Sequence, residues 1–241
     1  MEKYRHELKY IISYPEYEGL RRLMLPYFHV DENCVDGEYI IRSLYFDDYY
    51  KSAYEDKKIG VFFRKKYRIR IYNYSDRTIK LERKKKQGNY IFKESADISK
   101  EEFYKILNGD YSFLLSSKKQ ILREFYIECI SNVLRPKVIV DYERTPFILD
   151  AGTVRITFDK KVRAAVGGYD IFDERLASLS AMEPDKLIME VKYTEFLPRI
   201  VKNILPPRSS EKVAASKYLM CCDRTAYLRD STGYIDECYI L

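Results

Sequence analysis

Residues 67–72 read Tyr67-Arg68-Ile69-Arg70-Ile71-Tyr72, and this short stretch decides the fold class. Apolar and cationic residues alternate with period two. In an extended strand Tyr67, Ile69 and Ile71 share one face, and Lys66, Arg68 and Arg70 share the other. The same alternation recurs along the chain. In Tyr4–Ile12 the residues Tyr4, His6, Leu8, Tyr10 and Ile12 oppose Arg5, Glu7 and Lys9. In Ile79–Lys84, Ile79 and Leu81 oppose Lys80, Glu82 and Lys84. In Val154–Arg163, Val154, Ile156 and Phe158 oppose Arg155, Thr157, Asp159, Lys161 and Arg163. In Leu187–Tyr193, Leu187, Met189, Val191 and Tyr193 oppose Ile188, Glu190 and Lys192. Ile40–Phe46 and Lys137–Arg144 read as further strands.

Helices punctuate these strands. Ser13 caps a helix expected over Glu16–Leu25, with Pro15 near its first turn. Ser99 and Glu102 have the spacing of a capping box for a helix ending near Gly109. Lys118–Asn132 places Ile121, Leu122, Phe125, Cys129 and Ile130 on one helical face. Glu195–Leu205 is expected to be helical, Pro206-Pro207 to break it, and Ser210–Cys222 to resume. The expected class is α+β, with a dominant antiparallel sheet closed into a barrel and flanked by helices.

The 241 residues, 46% of them hydrophobic, suffice for one core, so a single domain over residues 1–241 is expected. Lys and Arg number 43 against 37 Asp and Glu, a net charge of +6 that says little about partners until its placement is known. The start, MEKYRHELKY, has no apolar segment of a secretory signal, and no apolar run approaches the roughly 18–20 residues that span a bilayer. Five cysteines, two of them adjacent at Cys221 and Cys222, show no metal-binding spacing, and His6 and His29 are the 2 histidines. These features read as a cytoplasmic protein without structural zinc. The 24 tyrosines suit half-buried strands.

The polar faces repeat one chemistry: Arg5, Lys9, Arg68, Arg70, Lys80, Lys84, Arg155 and Lys192, with Glu7, Glu82, Asp159 and Glu190 as a minority. The plain alternative is a set of solvated outer faces, with the carboxylates as cross-strand ion-pair partners. Yet surface strands usually mix in neutral polar residues, and these have few. A barrel whose apolar faces pack outward under helices turns the charged faces into its lumen. Cations crowded there call for a polyanion, and a linear phosphate chain fits a narrow space walled by guanidinium and ammonium donors. Arg64, Lys65 and Lys66 could instead form an RNA-binding patch, though such patches usually interleave exposed aromatics; no nucleic-acid partner is expected. Lys85 and Lys86 read as solvated turn residues, and His6, on the apolar face of its strand, as structural.

These segments resemble the triphosphate tunnel metalloenzymes, and among them the VTC domain, the catalytic domain of the vacuolar transporter chaperone polyphosphate polymerases. The likeness covers nearly the whole chain. RHELKY (Arg5–Tyr10) resembles the first tunnel strand, with Glu7 and Lys9 facing the tunnel. RSLYFDD (Arg42–Asp48) resembles a characteristic VTC segment. YRIRIY matches the paired-arginine strand at Arg68 and Arg70. LERKKK (Leu81–Lys86) matches at Glu82 and Lys84, and Lys93 matches a phosphate-binding lysine. DYERTPF (Asp141–Phe147) points to Tyr142 and Arg144, and VRITFD (Val154–Asp159) to Arg155 and Asp159. MEVKY (Met189–Tyr193) points to Glu190 and Lys192. SKY (Ser216–Tyr218) matches the C-terminal helix that closes one tunnel mouth, at Ser216 and Lys217.

The resemblance implies a fold, an activity and roles. The activity is transfer of the γ-phosphate of ATP to a growing polyphosphate chain. Arg68, Arg70, Lys84, Lys192 and Lys217 would be catalytic. Lys9, Lys93, Tyr142, Arg144, Arg155 and Ser216 would bind substrate. Glu190, Glu7 and Glu82 would hold Mn²⁺ or Mg²⁺. The simpler CYTH-type relatives begin with E-x-E-x-K; Arg5 stands at the first of those positions, which favours a VTC-type site. The SPX sensor domain and membrane helices of eukaryotic subunits are not expected within these residues, and a separately encoded membrane-protein partner is left open. Hydrolysis of tripolyphosphate or nucleoside triphosphates, and non-catalytic polyphosphate binding, are the alternatives.

Overall fold

A computed structural model describes residues 6–31, 34, 37–88, 90–194, 196–205 and 215–231. The elements run β1 (His6–Ser13), α1 (Tyr14–Met24), β2 (His29–Val30), β3 (Tyr39–Asp47), α2 (Ser52–Ile59), β4 (Phe63–Tyr72), β5 (Ser75–Gln87) and β6 (Tyr90–Asp97). They continue with α3 (Lys100–Leu107), α4 (Ser112–Leu115), α5 (Gln120–Ser131), β7 (Arg135–Leu149), β8 (Val154–Val166), β9 (Ala177–Ser180), β10 (Lys186–Tyr193), α6 (Arg199–Ile204) and α7 (Lys217–Ser231). Arg5, Cys238 and most of the expected 206–216 region lie outside the described residues.

All strands join one antiparallel sheet in the order β1-β10-β8-β7-β3-β4-β5-β6, with β2 added to β7 and β9 to β8. Among the described residues the backbone does not close into the expected barrel. The sheet is open, with β1 and β6 as its ends. Side chains span the gap instead: Lys84 on β5 meets Glu7 on β1 at 3.1 Å.

The apolar faces do pack outward. Tyr67, Ile69, Ile71 and Leu81 form one core with Phe103 and Ile106 of α3 and Leu122 and Phe125 of α5. Ile156, Phe158, Met189 and Val191 form a second with Tyr17 and Met24 of α1 and Val201 and Ile204 of α6. Both expected capping boxes are present, Ser13 with Glu16 before α1 and Ser99 with Glu102 before α3. A third core lies on the concave face, where Val138, Val140, Val162 and Ile188 receive Tyr218, Cys221 and Cys222 of α7. The concave side is therefore apolar in one part and cationic in the other.

Two corrections have local causes. The pairing of β7 with β8 slips between Asp141 and Glu143, and Lys161 takes a left-handed φ of 50°. This bulge resets the alternation. Beyond it Val162 and Ala164 join the concave core, so Arg163 leaves the face of Arg155 and Asp159. The helix expected from residue 195 starts only at Arg199, because Pro198 precedes it and biases its neighbour away from helix. His6 is exposed at the sheet's end, stacked on Tyr193 at 4.8 Å, and not buried on an apolar face. Lys85 and Lys86 extend β5 and do not form a turn.

On the convex side Arg42 is 2% exposed and grips Asp141 through two bonds of 2.9 and 2.7 Å. Its Nη1 also donates to the Asp173 carbonyl at 2.6 Å, tying the 171–173 loop to the sheet. Removing one partner of such a pair strands the other without water. Arg42→Leu is expected to cost about 3–5 kcal/mol in urea denaturation. Arg42→Leu with Asp141→Leu should recover most of that loss, because no buried charge then remains.

Candidate functional site

The cationic part of the concave face encloses a cavity of about 650 Å³. Strand register explains its walls. Lys66 of β4 lies opposite Lys84 of β5, which lies opposite Lys93 of β6. The adjacent row pairs Arg68 with Glu82. On the other wall Glu7 and Lys9 of β1 lie opposite Lys192 and Glu190 of β10. Each row alternates outward with the apolar cores, so burial of those cores aims the charges inward.

Each arginine here is oriented by fixed acceptors. Arg68 Nε and Nη2 reach Glu82 at 2.7 and 2.6 Å, and its Nη1 donates to the Tyr45 hydroxyl at 2.9 Å. Arg70 donates to Ser43 at 3.0 Å and to the Tyr142 hydroxyl at 3.1 Å. Arg144 forks onto Asp159 at 2.6 and 2.8 Å, and Lys217 at the start of α7 reaches the same carboxylate. Burial favours the neutral Asp159, but Arg144 and Lys217 outweigh it and hold its carboxyl at about 2.

Glu7 and Glu190 face each other within hydrogen-bonding reach. Lys9 lies 2.9 Å from Glu7 and 3.6 Å from Glu190, while Lys192 lies 3.3 Å from Glu190. Burial opposes ionisation of Glu190, yet Lys192 and Lys9 keep it far below the ordinary carboxylate range. Glu7 is lowered too, because Lys9 and Lys84 together exceed the opposing effects of burial and Glu190. Two adjacent anionic carboxylates are oxygen donors of the kind that hard divalent cations prefer. Among the described residues no group of three or more His, Cys, Asp or Glu side chains assembles. A hard divalent cation fits such a donor pair.

Of the residues expected from sequence, Glu7, Lys9, Arg68, Arg70, Lys84, Tyr142, Arg144, Glu190, Lys192, Ser216 and Lys217 line this cavity. Ser216 also accepts the Leu219 N–H at 3.5 Å in the first turn of α7. Glu82 is not brought to the carboxylate pair. It is 1% exposed and committed to Arg68 and to Lys93 at 2.9 Å. Arg155 is held aside by Tyr39 at 3.0 Å and Asp31 at 2.8 Å, and Lys80 points to Asp97 at 3.7 Å. The cavity also contains Tyr45, Lys66, Lys57, Arg64 and Lys86, which were not assigned to it from sequence. Lys66 had the visible signal: it shares the parity of Arg68 and Arg70. Lys57 belongs to α2, a helix that no capping or periodic pattern announced.

A family profile decides the affiliation: that of the VTC domain matches residues 4–226. The chain belongs to the VTC domain family. No curated protein sequence matches it significantly. Its fold is that of the triphosphate tunnel, or CYTH-like, proteins. A Hippeastrum protein described by a dominant triphosphatase activity shares 15% identity over 92% of this chain and 96% of its own, with a TM-score of 0.54. A Pyrococcus horikoshii OT3 protein shares 13% over 91% of this VTC chain and 99% of its own, at 0.47. A candidate adenylate cyclase from Bacillus halodurans shares 10% over 95% and 89%, at 0.49. At 15% identity the likeness to the Hippeastrum protein is one of fold.

Two lysines and one tyrosine of the VTC cavity are shifted toward neutrality. Withdrawal from water pushes Lys66 down to about 7, helped by Lys84 and Lys9. It lowers Lys192 to about 8, despite Glu190. Burial would raise Tyr45, but Arg68, Lys66 and Arg70 bring its phenol down to about 7. A bound polyanion raises all three, so binding takes up protons, and affinity for tripolyphosphate should fall as pH rises from 7 to 9. Calorimetry at pH 8 in two buffers of different ionisation enthalpy measures this uptake. The lysines also bind more protons unfolded than folded over that window, so their contribution to the ligand-free fold's stability grows as pH rises. Lys66→Met is expected to weaken tripolyphosphate binding by about 1.5–3 kcal/mol while raising the melting temperature of the ligand-free protein.

Proposed function

We propose that the cavity performs metal-dependent phosphoryl transfer from the γ-phosphate of ATP to a growing polyphosphate chain. One observation carries this reading. Lys9, Arg68, Arg70, Lys84, Arg144 and Lys192 converge on a cavity whose lining acids, among the described residues, are Glu7 and Glu190. That charge pattern suits a linear phosphate anhydride better than a neutral or singly charged substrate. Membership of the VTC domain family supports it.

Arg68 and Arg70 would hold phosphate oxygens through guanidinium edges already oriented by Tyr45, Tyr142 and Ser43, so little ordering cost falls at the moment of reaction. Lys84, Lys192 and Lys217 would neutralise charge developing on the transferred group, with Lys9, Arg144, Tyr142 and Ser216 completing the cradle. Lys93 would act through Glu82, and Arg155 would stay paired with Asp31. Glu190 and Glu7 would hold the divalent ion, which when bound neutralises phosphate charge and aligns the reacting groups. A terminal phosphate acceptor is already anionic, so this chemistry requires no general base.

Hydrolysis is the second reading, supported by the fold shared with the Hippeastrum protein described by triphosphatase activity. The two share a cavity and differ in acceptor. Separating the products of γ-labelled ATP on a gel distinguishes them: long labelled chains support the polymerase, and free phosphate alone supports the hydrolase. Tight binding of tripolyphosphate with no turnover at any Mn²⁺ or Mg²⁺ concentration would leave a binding module.

Glu190→Gln separates binding from turnover. The amide keeps the shape but removes an anion that competes with substrate for Lys9 and Lys192. The variant is expected to bind tripolyphosphate at least as tightly as the parent while metal-dependent turnover falls by about 10²-fold or more. Unchanged turnover across a Mn²⁺ titration would reduce Glu190 to an ion-pair residue.

A further inference from the structure

The turn from the end of α2 into the start of β4 carries exposed apolar side chains. Ile59 is 76% exposed, Phe62 58% and Phe63 64%, and Tyr90 at the start of β6 is 53% exposed. Phe63 and Tyr90 both lie opposite Gln87 of β5, so these exposed residues fall at the same end of adjoining strands. Water-facing surfaces seldom keep such a set without a use.

The backbone holds the tip outward. Gly60 ends α2 with a left-handed φ of 84°. The Phe62 carbonyl accepts the Gly88 N–H at 3.0 Å, and a Cβ at Gly88 would stand 2.7 Å from the Phe62 ring. Arg64 donates to the Val61 carbonyl at 2.7 Å. The Phe62 and Phe63 rings meet edge to face, 4.8 Å apart, and neither turns into a core. Cations flank this tip. Glu128 neutralises Lys65 and Glu94 meets Lys85, while Glu55 and Asp56 are the acids of α2 itself. Lys57, Lys58, Arg64 and Lys86 make no ion pair among the described residues, and Lys57 and Lys86 are lowered by burial and by Arg64.

We infer that this tip is a peripheral docking surface for an anionic lipid bilayer, with Ile59, Phe62 and Phe63 entering the acyl boundary and Lys58, Arg64 and Lys86 meeting lipid phosphates. Two features favour a bilayer over a protein. The apolar residues are exposed together at one turn, which a bilayer accepts without a matching cleft. Lys58 on α2, with Arg64 and Lys86 at the cavity mouth, complements phosphate headgroups, and apolar insertion with basic attraction anchors far better than either alone. Among the described residues no helix is long and apolar enough to cross a membrane, so this contact is with the bilayer surface. Lys57, Arg64, Lys86 and Tyr90 also line the cavity, which brings its mouth to the lipid face. The inference does not depend on which reaction the cavity performs.

The sequence contains 0 Trp, so Phe63→Trp installs a single fluorescent reporter at the tip. Its emission is expected to shift to the blue with phosphatidylcholine–phosphatidylglycerol vesicles, but not with phosphatidylcholine alone. The shift should persist in saturating tripolyphosphate. In vesicle flotation, Ile59→Ser with Phe63→Ser should lower partition by more than about tenfold and leave tripolyphosphate binding unchanged. The inference is overturned by an absent shift, or by a shift that tripolyphosphate abolishes, which would place lipid phosphate in the cavity. It is also overturned if the double variant floats like the parent, or if sedimentation shows a dimer that the double variant dissolves.

Discussion

Like charges confined to one concave surface repel, and the rest of this structure is arranged around that repulsion. The buried carboxylates counter it with few groups. Glu82 serves Arg68 and Lys93, Asp159 serves Arg144 and Lys217, and Glu190 lies among Lys9, Lys192 and Arg144. One anion shared among several cations stabilises the wall without neutralising it. Donor capacity is left over on the cavity side, and burial, with the repulsion that remains, lowers the Lys66 and Lys192 ammonium groups.

That arrangement depends on the apolar packing behind it. The convex faces of the sheet are pinned under α1, α3, α5 and α6, so the strands cannot roll to bring Lys or Arg into water without exposing Ile69, Leu81, Ile156 or Val191. On the concave side α7 fills one part with Tyr218, Cys221 and Cys222, and sends Lys217 to Asp159. The same helix thus closes a core and contributes to a polar wall. Tyrosine suits this boundary because its ring packs while its hydroxyl meets a guanidinium, as Tyr45 and Tyr142 do for Arg68 and Arg70.

What the sequence revealed was local. Period-two alternation in residues 66–72 and 187–193 oriented whole strands correctly, since burial of Ile69 or Met189 leaves Arg68 or Glu190 no choice of face. Spacing alone also disclosed the two capping boxes. What escaped was set by partners distant along the chain. Arg155 and Arg144 look equivalent in sequence, yet Asp31 and Tyr39 draw one aside while Asp159 holds the other at the cavity. The bulge near Lys161, which turns Arg163 away, has no signal in side-chain pattern. Closure of the sheet was overestimated for a related reason: alternation specifies two faces, not whether the first and last strands meet.

That unmet edge has a mechanical meaning. Hydrogen-bonded strands hold a barrel at one fixed circumference, whereas here the gap between its ends is crossed by the contact between Glu7 and Lys84. It behaves as a clasp and not as a weld. On the proposed reading both halves are claimed by the bound ligand, Lys84 by phosphate and Glu7 by the divalent ion. Loading the cavity would then unfasten the clasp, with the ligand in its place as the piece that joins the two edges. The girth of the sheet becomes a property of its contents.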